Sequence, residues 1–187
     1  MHTRDRADFA IDTIRPIAMR WVTSARSRID RDDPLVRAAL ETNFAWTRVP
    51  DRDRDAAFAF VMSHLANIAT VMDDAERLFR RPARAEIDAP AYVWNGVVWF
   101  TSTFSQDHFG PKCLAAMVVH ESVHVFDERS GEPEIHISEW DEPTFSAIPP
   151  ELQIHNPSAY ASYAAQIHHG ALAWPKDARF GAGRPRD

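Results

Sequence analysis

The segment PKCLAAMVVHESVHVFDERSG, residues 111–131, carries the clearest structural signal in this chain. Pro111 suits the first turn of a helix, and Gly131 suits the position just beyond the end of one. Leucine, methionine, valine and phenylalanine occupy nearly the whole circumference of this helix, which predicts that it is buried. The rest of the chain must therefore supply the elements that cover it.

Three polar side chains that interrupt this apolar helix carry the candidate chemistry. His120 and His124 are four residues apart, so their imidazoles lie on one helical face and can be directed at one ion. In such a site the neutral imidazoles bind zinc, and Glu121 takes a proton from the activated water and passes it to the leaving amine. The alternative is a buried helix whose histidines hydrogen-bond to their neighbours. A bound cation is the favoured interpretation, because burial of the Glu121 carboxylate without a compensating charge would destabilise the fold by several kcal/mol.

The rest of the chain predicts an α+β fold that is mostly helical, in a single domain over residues 1–187. Apolar periodicity predicts helices over 4–30, 34–46 and 55–79 in an N-terminal helical part, 1–80. The part over 91–175 contains a small β-hairpin, the apolar helix and a final helix, and residues 176–187 form a tail.

Local sequence signals place the hairpin and the final helix. Asn95-Gly96 lies between two apolar runs and favours a type I′ turn. The run after the turn predicts a strand over 97–104. Asn156 and Pro157 suit the N-cap and first residue of a short helix over 159–167.

Composition narrows the class of partner. The formal net charge is −6, and no basic stripe is present, so a nucleic-acid partner is not expected. Cys113 is the only cysteine, which leaves histidines and carboxylates to hold any metal. The first residues predict no signal peptide, and no stretch is expected to be long and apolar enough to cross a membrane. The chain is expected to begin in the cytoplasm, with export by a signal-independent route left open.

A catalytic zinc site needs a third protein ligand. The metzincin pattern would need glycine at 127 and a ligand at 130, where this chain has Asp127 and Ser130. A glutamate from a later helix is excluded as well, because residues 152–175 contain no acidic residue. The remaining carboxylates lie between 127 and 151 and are densest in SEWDE, residues 138–142.

Three segments in order, MVVHESVHVFDERSG, ISEWDEPTF and NPSAYASYAAQI, resemble the deuterolysin-type aspzincin metalloendopeptidases over about 92–169. The resemblance implies a zincin-like fold, zinc (Zn²⁺) as cofactor, and a protein or peptide substrate. It implies that His120 and His124 are metal ligands, Glu121 the catalytic base and Asp141 the third ligand. Glu139 and Glu142 remain alternatives to Asp141, because the sequence around it departs from the family pattern.

Several further residues have a functional and a structural interpretation. Asp127 either accepts a ring N–H from the metal-binding histidines or simply lies near a helix end. Tyr160, or Tyr163 three residues later, either directs its hydroxyl at the reacting group or packs in the core. By analogy with zincins, the strand over 97–104 is expected to be an edge strand that pairs with an extended peptide. Four further histidines are expected at the surface: His136, His155, His168 and His169.

The expected function is that of a zinc-dependent metalloendopeptidase, which hydrolyses peptide bonds with a zinc-activated water. Two alternatives remain open at this point. One is a binding module that keeps the fold without catalysis, although such a module would have no use for Glu121. The other is a zinc hydrolase of a different amide or ester, and in either form the chain would suit a bacterial effector or toxin.

Overall fold

The structure, a computed structural model, describes residues 4–80, 89–105, 109–131, 144 and 147–172. Its elements in chain order are α1 (Arg4–Ser27), α2 (Pro34–Phe44), two 3₁₀ turns (Trp46–Arg48 and Asp51–Asp53), α3 (Arg54–Asp73), α4 (Ala75–Leu78), β1 (Phe79–Arg80), β2 (Ala91–Trp94), β3 (Val97–Phe100), α5 (Pro111–Ser130), α6 (Pro150–Gln153) and α7 (Pro157–His169). The described part of the chain is thus mostly helical with a small sheet. The prediction of an α+β fold is confirmed at this level.

Helix α5 lies at the centre of the fold, where it contacts α1, α3, α7 and the hairpin. Apolar side chains over about half of its circumference have no exposed surface: Leu114, Val118, Val119, Val123 and Val125. Removing each from water contributes about 1.5–3 kcal/mol to the free energy of folding. Pro111 is its first residue, and Gly131 ends it with a left-handed φ of 71°. The predicted buried helix is confirmed with both of its ends.

Helix α7 fills the space between α1, α2 and α5. It is rich in alanine and serine, whose small side chains let the neighbouring helices approach closely, and nearly all of its residues are buried. Asn156 caps its N-terminus by accepting a hydrogen bond from the main-chain N–H of Ser158. In α1, Pro16 lies inside the helix without dividing it.

The three strands form one sheet in the order β1-β3-β2, with β1 parallel and β2 antiparallel to β3. Asn95 and Gly96 have φ angles of 53° and 64°, as a type I′ turn requires. Strand β3 is therefore central, and its main chain is paired on both sides. The prediction of an edge strand over 97–104 is wrong, because Phe79 and Arg80 occupy the side that a peptide would need.

The hairpin turn is attached to the C-terminal end of α5. The main-chain N–H of Gly96 donates to the Glu128 carboxylate, and Nη2 of Arg129 donates to the carbonyl of Gly96 at 3.1 Å. Both side chains lie one turn or more beyond His124, so these bonds fix the sheet against the helix that carries the candidate site.

Substitution of Gly96 should loosen this attachment. A Cβ at Gly96 would lie 3.1 Å from Nε of Arg129, and the positive φ strains any L-residue. We expect Gly96→Ala to lower the free energy of unfolding by about 1–2 kcal/mol, hence the Tm by roughly 2–8 °C. Gly131→Ala is the matched control, because Gly131 also has a positive φ but no atom within 4 Å of the added Cβ. Equal losses in the two variants would contradict the role of the hairpin attachment.

One helical run meets the length and composition needed to cross a membrane. This run is Asp51–Asp73, although no such stretch is predicted from the sequence. Val61, Leu65 and Ile68 within it have no exposed surface, and α3 packs against α1 and α5. Buried core helices pass the same test of length and composition.

Candidate metal centre

Two imidazoles of α5 converge on one face of the helix. His124 is buried, His120 is partly buried, and their Nε2 atoms lie 3.2 Å apart. Two nitrogens that each bind one tetrahedral zinc at about 2.0–2.1 Å lie roughly 3.3–3.4 Å apart. The separation of the two predicted histidine ligands is close to this value, and it is also within the range of a hydrogen bond between the two rings.

Glu121 follows His120 directly and is partly buried. Removal of its carboxyl group from water disfavours the charged form, and this burial raises the pKa of Glu121 to about 8. A cation held by the adjacent imidazoles would favour the carboxylate again, because opposite charges at short range stabilise the ionised form. The electrostatics of this face of the helix therefore suit a bound cation.

The predicted third ligand, Asp141, lies outside the described residues, as do its alternatives Glu139 and Glu142 and the tail over 176–187. Within the described ranges, no group of three or more His, Cys, Asp or Glu side chains could hold a metal ion. A catalytic site at the two imidazoles would thus need its third protein ligand from the residues that the structure does not describe.

Asp127 faces a histidine, but one that belongs to α3. Nε2 of His64 lies 3.4 Å from Oδ1 of Asp127, and the two side chains are 3% and 0% exposed. The other carboxylate oxygen of Asp127 has no hydrogen-bond partner among the described residues. The structure shows no contact from Asp127 to the two α5 imidazoles within the described part, so it links α5 to α3.

Tyr160 stacks on His64, with ring centroids 5.3 Å apart and planes inclined by 16°. Its side chain is fully buried, and its hydroxyl donates to the carbonyl of Ile154 at 2.6 Å. This geometry matches the core-packing interpretation. The hydroxyl proton that a catalytic tyrosine would donate is already used in the hydrogen bond to Ile154. The catalytic role of Tyr160 stays a prediction. Tyr163 is also fully buried, and burial raises the pKa of its hydroxyl.

The other histidines lie apart from this pair or outside the described residues. His169 is exposed as predicted, whereas His155 and His168 are half-buried. Nδ1 of His168 lies 2.9 Å from Oγ of Ser24 at the far end of α7, which explains its partial burial. His136 falls in a segment that the structure does not describe.

Sequence reasoning missed Ser158, which lies beside the candidate site, and His64, which lies beside Asp127. Oγ of Ser158 lies 3.2 Å from Nδ1 of His120. The capping signal of Asn156 and Pro157 predicts where α7 begins, but no local signal shows that its first turn lies against α5. His64 likewise resembles any histidine on an apolar helix until α3 and α5 are packed together.

Comparison with models of protein families, with characterised proteins and with solved structures gives no match to this chain. The resemblance to the aspzincins therefore rests on the three sequence segments, and the candidate site rests on the geometry of α5.

Proposed function

We propose that this protein is a zinc-dependent metalloendopeptidase whose active site lies on the exposed side of α5. The observation that carries the proposal is the 3.2 Å separation of the Nε2 atoms of His120 and His124. A partly buried carboxyl group one position along the same helix, Glu121, is suitably placed to act as the general base. The proposal includes Asp141 as the third ligand, on the basis of the family resemblance.

Each side chain has a separate role in this proposal. The two imidazoles would hold the ion through their Nε2 atoms, and each would then carry its proton on Nδ1. Zinc, when bound, polarises the carbonyl group of the substrate and lowers the pKa of a water molecule. Glu121 accepts the proton of the attacking water and then delivers it to the departing amine.

Substrate binding in this proposal does not use β3. Because β3 is paired with β1 and β2, an extended peptide would have to find main-chain partners elsewhere. Among the described strands, β2 has one side without a strand neighbour, at residues 91–94. The proposed class of substrate is protein or peptide, and this proposal rests on the resemblance.

Metal analysis and a cleavage assay on the full chain test the proposal together. We expect the purified protein to bind zinc stoichiometrically and to cleave casein or members of a peptide library. This cleavage should stop when a chelator removes the zinc. Absence of zinc binding would rule out the enzyme. Zinc binding without peptide cleavage, but with hydrolysis of a small amide or ester, would instead favour a zinc hydrolase of another substrate class.

A further inference from the structure

A chain of buried polar side chains runs through the interface of α2, α6 and α7 and ends at the candidate metal centre. Its members are almost completely removed from solvent, at 0–2% exposure, and all lie among apolar neighbours: Asn43, Gln153, Asn156, Ser158 and Gln166. Buried polar groups cost free energy unless they are hydrogen-bonded, so a connected set of this kind rigidifies the elements that carry it.

The distal half of this chain ties α2 to α6 and α7. Nδ2 of Asn43 donates to Oε1 of Gln166 at 2.9 Å and also to the carbonyl of Ala39 at 2.8 Å. The carbonyl of Asn43 in turn accepts from Nε2 of Gln153 at 3.0 Å. These bonds fix the loop between α6 and α7 relative to the core.

The proximal half reaches the imidazole. Nδ2 of Asn156 lies 3.5 Å from Oε1 of Gln153, and Oδ1 of Asn156 accepts from the main-chain N–H of Ser158 at 3.3 Å. Ser158 thereby has a fixed backbone and a buried side chain, and its Oγ lies 3.2 Å from Nδ1 of His120. The hydroxyl is held where it faces the ring nitrogen that is turned away from His124.

We infer that Ser158 is a positioning residue for His120: its Oγ accepts the Nδ1–H of the imidazole and keeps the unprotonated Nε2 turned toward the Nε2 of His124. A neutral imidazole carries one ring proton, so a hydrogen bond that fixes this proton on Nδ1 leaves Nε2 unprotonated, which is the form of the nitrogen that binds a metal. The inference rests on the proposed metal centre and adds the residue that orients one of its ligands.

Removal of the hydroxyl tests this inference without an activity assay. Ser158→Ala should weaken zinc binding by about 10–100-fold, the usual effect of losing a partner of a metal-binding histidine. The affinity is measured on the full chain by competition with a chelating dye. Melting of the metal-free variants shows separately whether the fold is intact, and Ser158→Thr, which keeps the hydroxyl, should keep the affinity of the wild type.

Ser162→Ala is the matched control. Ser162 is a second fully buried serine on α7, and its Oγ has no hydrogen-bond partner among the described residues. Its removal should leave zinc affinity unchanged, because the Ser162 hydroxyl makes no hydrogen bond to His120 among the described residues.

A second measurement follows the imidazole proton directly. In the zinc-loaded protein, nitrogen-edited NMR should show the Nδ1–H of His120 in slow exchange with water in the wild type and in Ser162→Ala. The same proton should exchange rapidly in Ser158→Ala, because its acceptor has been removed.

Three results would contradict the inference or its basis, and they are distinguishable. Zinc affinity that is equal in the wild type and Ser158→Ala would overturn the role of Ser158 alone. An equal loss of affinity in the Ala and Thr variants would also overturn it, since side-chain shape rather than the hydroxyl would then matter. Failure of the wild type to bind zinc would overturn the proposed metal centre itself.

Discussion

Glu121→Gln should abolish peptide cleavage while zinc remains bound. The substitution keeps the size of the side chain and removes the proton acceptor, and general-base catalysis of this kind contributes about 10²–10⁴-fold to the rate. We therefore expect kcat to fall by about that factor with little change in zinc content. Cleavage of a peptide substrate and metal analysis on the same preparation measure both quantities.

The fold should tolerate this substitution, because the metal-free protein already favours the neutral form of Glu121. Its pKa is raised from 4.5 to about 8 by burial, so the folded state binds this proton more tightly than the unfolded state. In the metal-free wild type, the free energy of unfolding should consequently fall as the pH rises from about 4.5 to about 8. The contribution of Glu121 to that fall should be absent in Glu121→Gln.

Glu151→Gln provides the control for the assay, because Glu151 is an exposed carboxylate on α6. The Glu151→Gln variant should cleave the peptide substrate at the same rate as the wild type. Retention of full cleavage by Glu121→Gln would exclude Glu121 as the base, and the proposed mechanism would then be wrong even if zinc were present.

Loss of one imidazole ligand is the second large effect that we expect. In the wild type, zinc at 100 times its Kd should stabilise the fold by about 2.7 kcal/mol through mass action. For a chain of this size that corresponds to a rise in Tm of roughly 5–11 °C. His124→Ala should remove both the bound zinc and this rise, because only two of the three proposed protein ligands, His120 and Asp141, would remain. Differential scanning calorimetry with and without zinc measures the change.

His169→Ala is the control for the loss of a histidine, since His169 is exposed at the end of α7. Its zinc-dependent rise in Tm should match that of the wild type. Asp141→Ala should behave like His124→Ala, and unchanged zinc binding in that variant would point to Glu139 or Glu142 as the third ligand. A zinc-dependent rise that survives in His124→Ala would contradict the proposed centre.

Much of the fold could be predicted because the relevant signals are local. Helix α5 has a proline at its start, a glycine at its end and apolar residues on all sides, and each of these acts within a few residues. The turn at Asn95-Gly96 is of the same kind, because positive φ angles depend on the two residues themselves. The pair of imidazoles follows from helical geometry, which places residues four apart on one face.

Other features depended on contacts between distant parts of the chain. The central position of β3 follows from its parallel pairing with Phe79 and Arg80, which alternation of apolar residues within β3 cannot indicate. Asp127 is paired with His64, 63 residues away, although its spacing from His120 and His124 suggested a bond within α5. In each case the sequence pattern predicts the helix or strand itself, but it does not predict which other element packs against it.

A buried helix that presents His120, Glu121 and His124 together can thus be predicted from the sequence, because helical periodicity is a property of one segment. The surroundings of these three residues depend instead on tertiary contacts. Oγ of Ser158, 38 residues from His120, reaches its Nδ1 because α7 packs against α5. Packing of this kind depends on the complementary shapes of several buried faces at once, and no single stretch of the chain encodes those shapes.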